Sequence, residues 1–148
     1  MSGFASELSV LLVEDETIIA LDIEQIVEAA GLRVEAHAVR GSEAIELFEL
    51  HRPGICLVDI HLLDGPVGLD CGRRFAEAGS VVVFMTANRA ALPPDFGGAF
   101  GIIAKPFTNT GLLQALDYLR RVASGEPRPE RAPDGLELVA ERSNFATP

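Results

Sequence analysis

Residues 8–16 read LSVLLVEDE, a short unbroken apolar run that ends in three consecutive acids. Continuous rather than alternating hydrophobicity marks a strand buried on both faces, as in the interior of a parallel sheet. The pattern recurs. Residues 55–58 (ICLV) run into Asp59, residues 81–85 (VVVFM) into Thr86, and residues 102–104 (IIA) into Lys105. Residues 33–39 offer one further strand, second in chain order, between the first two of these.

Between the strands the period changes. Ile18, Ile19, Leu21, Ile23, Ile26 and Val27 recur at helical spacing, and Gly31 can stop that helix. Residues 42–50 read as a second helix with Ser42 as its cap, ended before Pro53. Residues 69–78 read as a third, stopped by Gly79, with Asp70 in its start; residues 108–123 carry a leucine stripe and read as the last. Strands alternating with helices predict an α/β fold, a doubly wound five-stranded parallel sheet with helices on both faces. Right-handed crossovers bring the carboxyl ends of all strands to one edge, where open α/β sheets bind ligands. Glu14, Asp15, Asp59, Thr86 and Lys105 therefore converge. One link is irregular: residues 91–101 (ALPPDFGGAFG) hold adjacent prolines, which can open a helix but not continue one. A short, distorted or absent fourth helix is expected there.

The predicted organisation is an extension at 1–7, one domain at 8–124 and a Pro- and charge-rich tail at 125–148, read as mobile. No apolar run reaches the roughly 18–20 residues of a membrane span, and the start lacks a secretory signal, which points to a cytoplasmic protein without membrane contact. Cys56 and Cys71 have no metal-knuckle spacing and read as inert thiols. A net charge of −10 argues against direct nucleic-acid binding and for a basic partner or a cation held among acids. His37 and His51 lack metal-like spacing and read as strand or surface residues, while Arg120 and Arg121 suit the negative pole of the last helix.

Three converging carboxylates repel one another unless a cation joins them, and magnesium suits a site of one or two carboxylates that keeps several waters. Glu14 and Asp15 alone would equally serve the positive start of a helix. Asp59 gains weight from its company. A carboxylate can accept a phosphoryl group as an acyl phosphate, and a metal, an ammonium and a hydroxyl stabilise the oxygens in transfer. Lys105 is the only lysine in the chain, against eleven arginines. Its ammonium is a compact point charge where a guanidinium is a larger fork.

The set VEDE, LVDIHLLDG, FMTAN and AKPF resembles a response-regulator receiver domain of a two-component system, of the CheY-like, flavodoxin-like fold, over residues 8–123. The resemblance implies that Asp59 takes phosphate from a histidine kinase or histidine phosphotransfer protein. It implies Mg2+ bound by Asp15, Asp59 and the His61 backbone carbonyl, with Glu14 acting through water, and Thr86 and Lys105 on the phosphoryl oxygens. His61 and Asn88 stand where receivers tune the lifetime of the phosphorylated state, or are simply polar loop residues. It also implies a cis Lys105–Pro106 bond and a stand-alone signalling domain with at most its own autodephosphorylation rather than an enzyme.

Two departures touch the surface that reports phosphorylation. Receivers carry an aromatic three residues before the lysine, where this chain has Ile102; Phe100 and Phe107 nearby suit core packing. The Pro93–Pro94 segment falls where the fourth helix belongs. A binding module indifferent to phosphorylation is therefore the rival reading. An aspartyl phosphatase of the haloacid dehalogenase type fits less well, because Asp59 is followed by Ile60, His61 and Leu62 rather than the DxDx[TV] pattern. The last helix and the segment before it could serve a homodimer or simply pack on the core.

Overall fold

The computed structural model describes residues 8–127 and 129–139; the predicted extension at 1–7 and the end of the tail lie outside the described residues. Strand β1 (Ser9–Val13) is followed by α1 (Thr17–Ala29), β2 (Arg33–Ala38), α2 (Gly41–His51), β3 (Ile55–Asp59), α3 (Gly68–Glu77), β4 (Val81–Thr86), β5 (Gly101–Ala104), α4 (Asn109–Ser124) and β6 (Glu137–Leu138). The sheet order is β2-β1-β3-β4-β5-β6, parallel except for β6. The order reverses between β1 and β3, so Glu14 and Asp59 leave the sheet on either side of that switch point.

β1 and β3 are buried at every position, as their unbroken apolar runs require. Val10 and Leu12 face α1 and α4, while Leu11 and Val13 face α2 and α3. Alternate side chains thus serve two separate cores, the geometry of a pleated strand. On the second face Phe48 and Phe75 stack with ring centroids 4.4 Å apart and seal α2 against α3.

Close approach explains one glycine. A Cβ at Gly68 would stand 2.0 Å from the Asp59 carbonyl oxygen, so only glycine lets α3 begin against the end of β3.

Three expectations change. Ser42 does not cap α2. Arg40 holds the cap position, and the capping oxygens come from a distant loop: Asp64 accepts from the Gly41 amide at 2.8 Å and the Ser42 amide at 3.2 Å. These bonds hold the Asp64 carboxyl below its ordinary range. Second, the sheet has six strands, not five. The tail does not simply project: Leu136 and Leu138 are buried, and Glu137–Leu138 adds an antiparallel strand to β5. Third, Arg120 and Arg121 answer more than the helix pole, since both pair with Asp117 and Arg120 also reaches Glu126.

The irregular link behaves as its prolines dictate. Between β4 and β5 lie only two 3-10 turns, Arg89–Ala91 and Phe96–Gly98, the second bent by a left-handed Gly97 at φ 64°. Ile102 is 2% exposed and packs in the same core as Leu92, Phe96 and Ala99 from that link. Among the described residues no helix is long and apolar enough to cross a membrane.

Candidate functional site

At the carboxyl edge the chain places Glu14 directly after β1, Asp59 at the end of β3, Thr86 at the end of β4 and Lys105 directly after β5. A parallel sheet makes this convergence unavoidable once each strand stops where its apolar run stops. The Lys105 Nζ donates to Glu14 Oε1 at 2.8 Å and to Asp59 Oδ2 at 2.9 Å. Asp15 joins them: one carboxylate oxygen from each of Glu14, Asp15 and Asp59 lies within 4.8 Å of the others.

Three carboxylates against one ammonium leave two negative charges without a partner in the cluster. Glu14 is fully buried. Burial pushes its carboxyl pKa up, and the hydrogen bond and charge of Lys105 offset that rise only in part. Burial works against the Lys105 charge as well, but its bonds to Glu14 and Asp59 win and hold its pKa above the ordinary lysine value. Such a cluster fits a hard divalent cation through its donor chemistry, because carboxylate oxygens are the ligands magnesium takes and the charge deficit matches. Glu14 follows, and Asp59 ends, a strand buried at every position, so removing Lys105 would leave buried carboxylate without compensation.

Local bonds fix Glu14, Asp59 and Thr86. The Glu14 Oε2 accepts from the Glu16 amide at 3.2 Å, and the His61 amide approaches Asp59 Oδ1 at 3.4 Å. Thr86 is buried; its Oγ1 accepts from the Asn88 amide at 3.0 Å, which leaves the hydroxyl proton available as a donor. The Lys105 amide donates to the Thr86 carbonyl at 2.9 Å, tying the two residues across β4 and β5. Ala87, next in the chain, is exposed and contributes no more than a methyl there. The Lys105–Pro106 peptide is cis, as expected. Asp70 stays outside the acidic cluster, within the first turn of α3.

Two contributors were not foreseen. His37, read as an ordinary strand residue, lies on β2 with its Nε2 2.8 Å from the Glu14 carbonyl oxygen, while the Glu14 amide donates to the Ala38 carbonyl. The acidic corner is thereby pinned to β2 from both sides. Asp64 anchors the loop after Asp59 to α2 through its capping bonds. His37 carries no sequence signal, and the LVDIHLLDG motif that includes Asp64 does not disclose a cap, since the partners lie 22 or 23 positions away. Cys56 and Cys71 are buried free thiols, and burial raises Cys56 to about 12 and Cys71 to about 11.

The profile described as "Response regulator receiver domain" matches residues 10–117. The Phyllosphere-induced regulator PhyR of Methylorubrum extorquens is 40% identical over 102 residues, which cover 66% of this chain but only 38% of that protein. The chemotaxis protein CheY of Bacillus subtilis is 25% identical over 112 residues, 73% of this chain and 93% of CheY. The crystal structure of the response regulator PhyR from Brucella abortus aligns over 96% of this chain and 54% of that one, with a TM-score of 0.62 and 25% identity.

Proposed function

Because the chain belongs to the response-regulator receiver family of two-component systems, we propose that it is a phosphoacceptor whose acceptor is Asp59 and whose donor is a phosphohistidine on a kinase or phosphotransfer protein. One observation carries this reading: three carboxylates from the ends of two strands cluster around a single ammonium, which bonds Glu14 and Asp59. In the transfer an Asp59 carboxylate oxygen forms a bond to phosphorus, the bond from phosphorus to the imidazole nitrogen breaks, and that nitrogen leaves with the electron pair. Lys105, already bonded to Asp59 Oδ2, is placed to follow a phosphoryl oxygen added there. The Thr86 hydroxyl donates to a second oxygen. Asp15, Asp59 and the His61 carbonyl would hold Mg2+, with Glu14 acting through water. When bound, the ion draws charge from the phosphoryl oxygens.

The product is a modified signalling surface rather than a turned-over substrate. A test is beryllofluoride with Mg2+ on isotope-labelled protein, followed by NMR. Amide signals of Thr86 and Lys105 move in the wild type and stay fixed in Asp59→Asn; fixed signals in both chains would remove the proposal.

A second reading has its own support in the aliphatic Ile102, buried against Leu92, Phe96 and Ala99. A partner could then bind whether or not Asp59 is modified. Equal affinity of a captured partner for wild type, Asp59→Asn and the beryllofluoride form would favour that reading.

A further inference from the structure

The outer edge of β5 is closed by very little chain. Glu137–Leu138 pairs with it antiparallel, Leu138 opposite Gly101 and Glu137 opposite Ile102, and the Val139 amide donates to the Phe100 carbonyl at 3.2 Å. The approach requires glycine on β5, since a Cβ at Gly101 would stand 2.6 Å from the Glu137 carbonyl oxygen. Leu136 and Leu138 are buried and extend the core under α1 and α4. Between them the Glu137 carboxylate meets the Arg89 guanidinium, carried by the first 3-10 turn after β4. The seat therefore holds an extended backbone with an apolar, acidic, apolar sequence.

Apart from the two buried leucines the attachment is slight. A cavity of about 580 Å³ separates Pro129, Arg131 and Pro133 from α1 and α4. A second of about 430 Å³ lies beside Asp134 and Gly135, and a third of about 390 Å³ beside Leu138 and Val139. These grooves open to solvent, so the segment lacks packed neighbours along them, and a two-residue strand adds few ladder bonds. Segments of this kind open at the low end of a protein's range of local stabilities.

We propose that the β5 edge is a strand-docking surface that residues 136–139 plug reversibly, and that its outside occupant is an extended peptide segment of apolar, acidic, apolar sequence. In such augmentation the main chain supplies affinity and the pockets for alternate side chains supply selectivity. Here the two leucine seats set the spacing and Arg89 selects the acid. Opening the plug uncovers the outward N–H and C=O groups of β5, which then need a partner. The tether through residues 125–135 gives the plug an effective concentration in the millimolar range. An outside segment must therefore bind tightly or meet a weakened plug. This docking needs no phosphoryl chemistry at Asp59.

The test titrates a fluorescent peptide of residues 132–139 (APDGLELV) against the full chain by anisotropy. The chains are wild type and the double variant Leu136→Ser/Leu138→Ser, with hydrogen exchange at the Val139 amide reporting the plug. The double variant is expected to exchange faster and to bind the peptide at least about tenfold more tightly, as removal of a tethered competitor requires. A peptide with lysine in place of the acid should lose that gain, and adding Arg89→Glu should restore it. Gly101→Val should block the edge; if that variant does not fold, the charge swap alone decides. A Val139 amide that stays protected in the double variant, no peptide binding to an opened chain, or indifference to the charge swap would each overturn the proposal.

Discussion

The end of β5 and its edge lie within four residues of each other and are built on opposite principles. At the end, Lys105 is locked by two short charge-assisted bonds to Glu14 and Asp59, and the carbonyl of Glu14 is held from β2. At the edge, Gly101 and Ile102 meet a two-residue strand flanked by cavities. The first arrangement keeps charged groups fixed before any ligand arrives, which is what electrostatic stabilisation of a transferring group demands. The second trades packing for a surface that can open. Rigid chemistry beside a loose flank lets a small modification bias a larger element, provided the flank has two states of similar free energy.

The sharpest way to break this contrast is to remove the lock. Lys105→Ala should slow phosphoryl uptake from acetyl phosphate by about 100-fold, the usual cost of losing one preorganised group at a developing charge. The initial rate of labelling at fixed Mg2+ measures it, and a loss below about threefold would mean that the lysine is structural. Next comes the backbone that carries Asp59. Gly68→Ala forces a methyl toward the Asp59 carbonyl oxygen and should cost about 1–3 kcal/mol in urea unfolding, the range for overpacking a close-packed site.

The flank should answer differently to a comparable insult. Leu138→Ala removes a buried side chain, which in a continuous core costs about 2–5 kcal/mol. On an independently opening segment the global unfolding free energy should instead fall by less than about 1 kcal/mol, while hydrogen exchange accelerates at Val139. A full core-sized loss would show the edge to be part of the cooperative unit.

The smallest effect is expected at Asp64. Its carboxyl is held below its ordinary pKa by the amides it caps, so its contribution is present above about pH 4, the ordinary aspartate value, and fades as pH falls through the lower folded value. Asp64→Ala should therefore melt lower than wild type near neutral pH, with the difference closing in acid. Thermal scans across that range would show it.

These contrasts also explain what the sequence could disclose. Residues 8–13, 55–58, 81–85 and 102–104 announce themselves because burial on both faces leaves no room for polar alternation, and each run stops at a polar residue of the candidate site. The failed fourth helix was equally legible from Pro93 and Pro94. Glu137–Leu138 was not, since Leu-Glu-Leu beside prolines is too short to carry a period and its seat is made by Gly101 and Arg89, far off in sequence. The Asp64 cap escaped for a similar reason: Ser42 satisfies the local rule, and only the folded loop brings a better acceptor. His37 shows no pattern at all until β1 and β2 are paired.

Acetyl phosphate with Mg2+, followed by intact-protein mass spectrometry, reads phosphorylation of Asp59 without any partner protein. One added phosphoryl group is expected on the wild type with Mg2+ present, none when the metal is chelated before acetyl phosphate is added, and none on Asp59→Asn. An unmodified wild-type chain, or equal modification of Asp59→Asn, would contradict it.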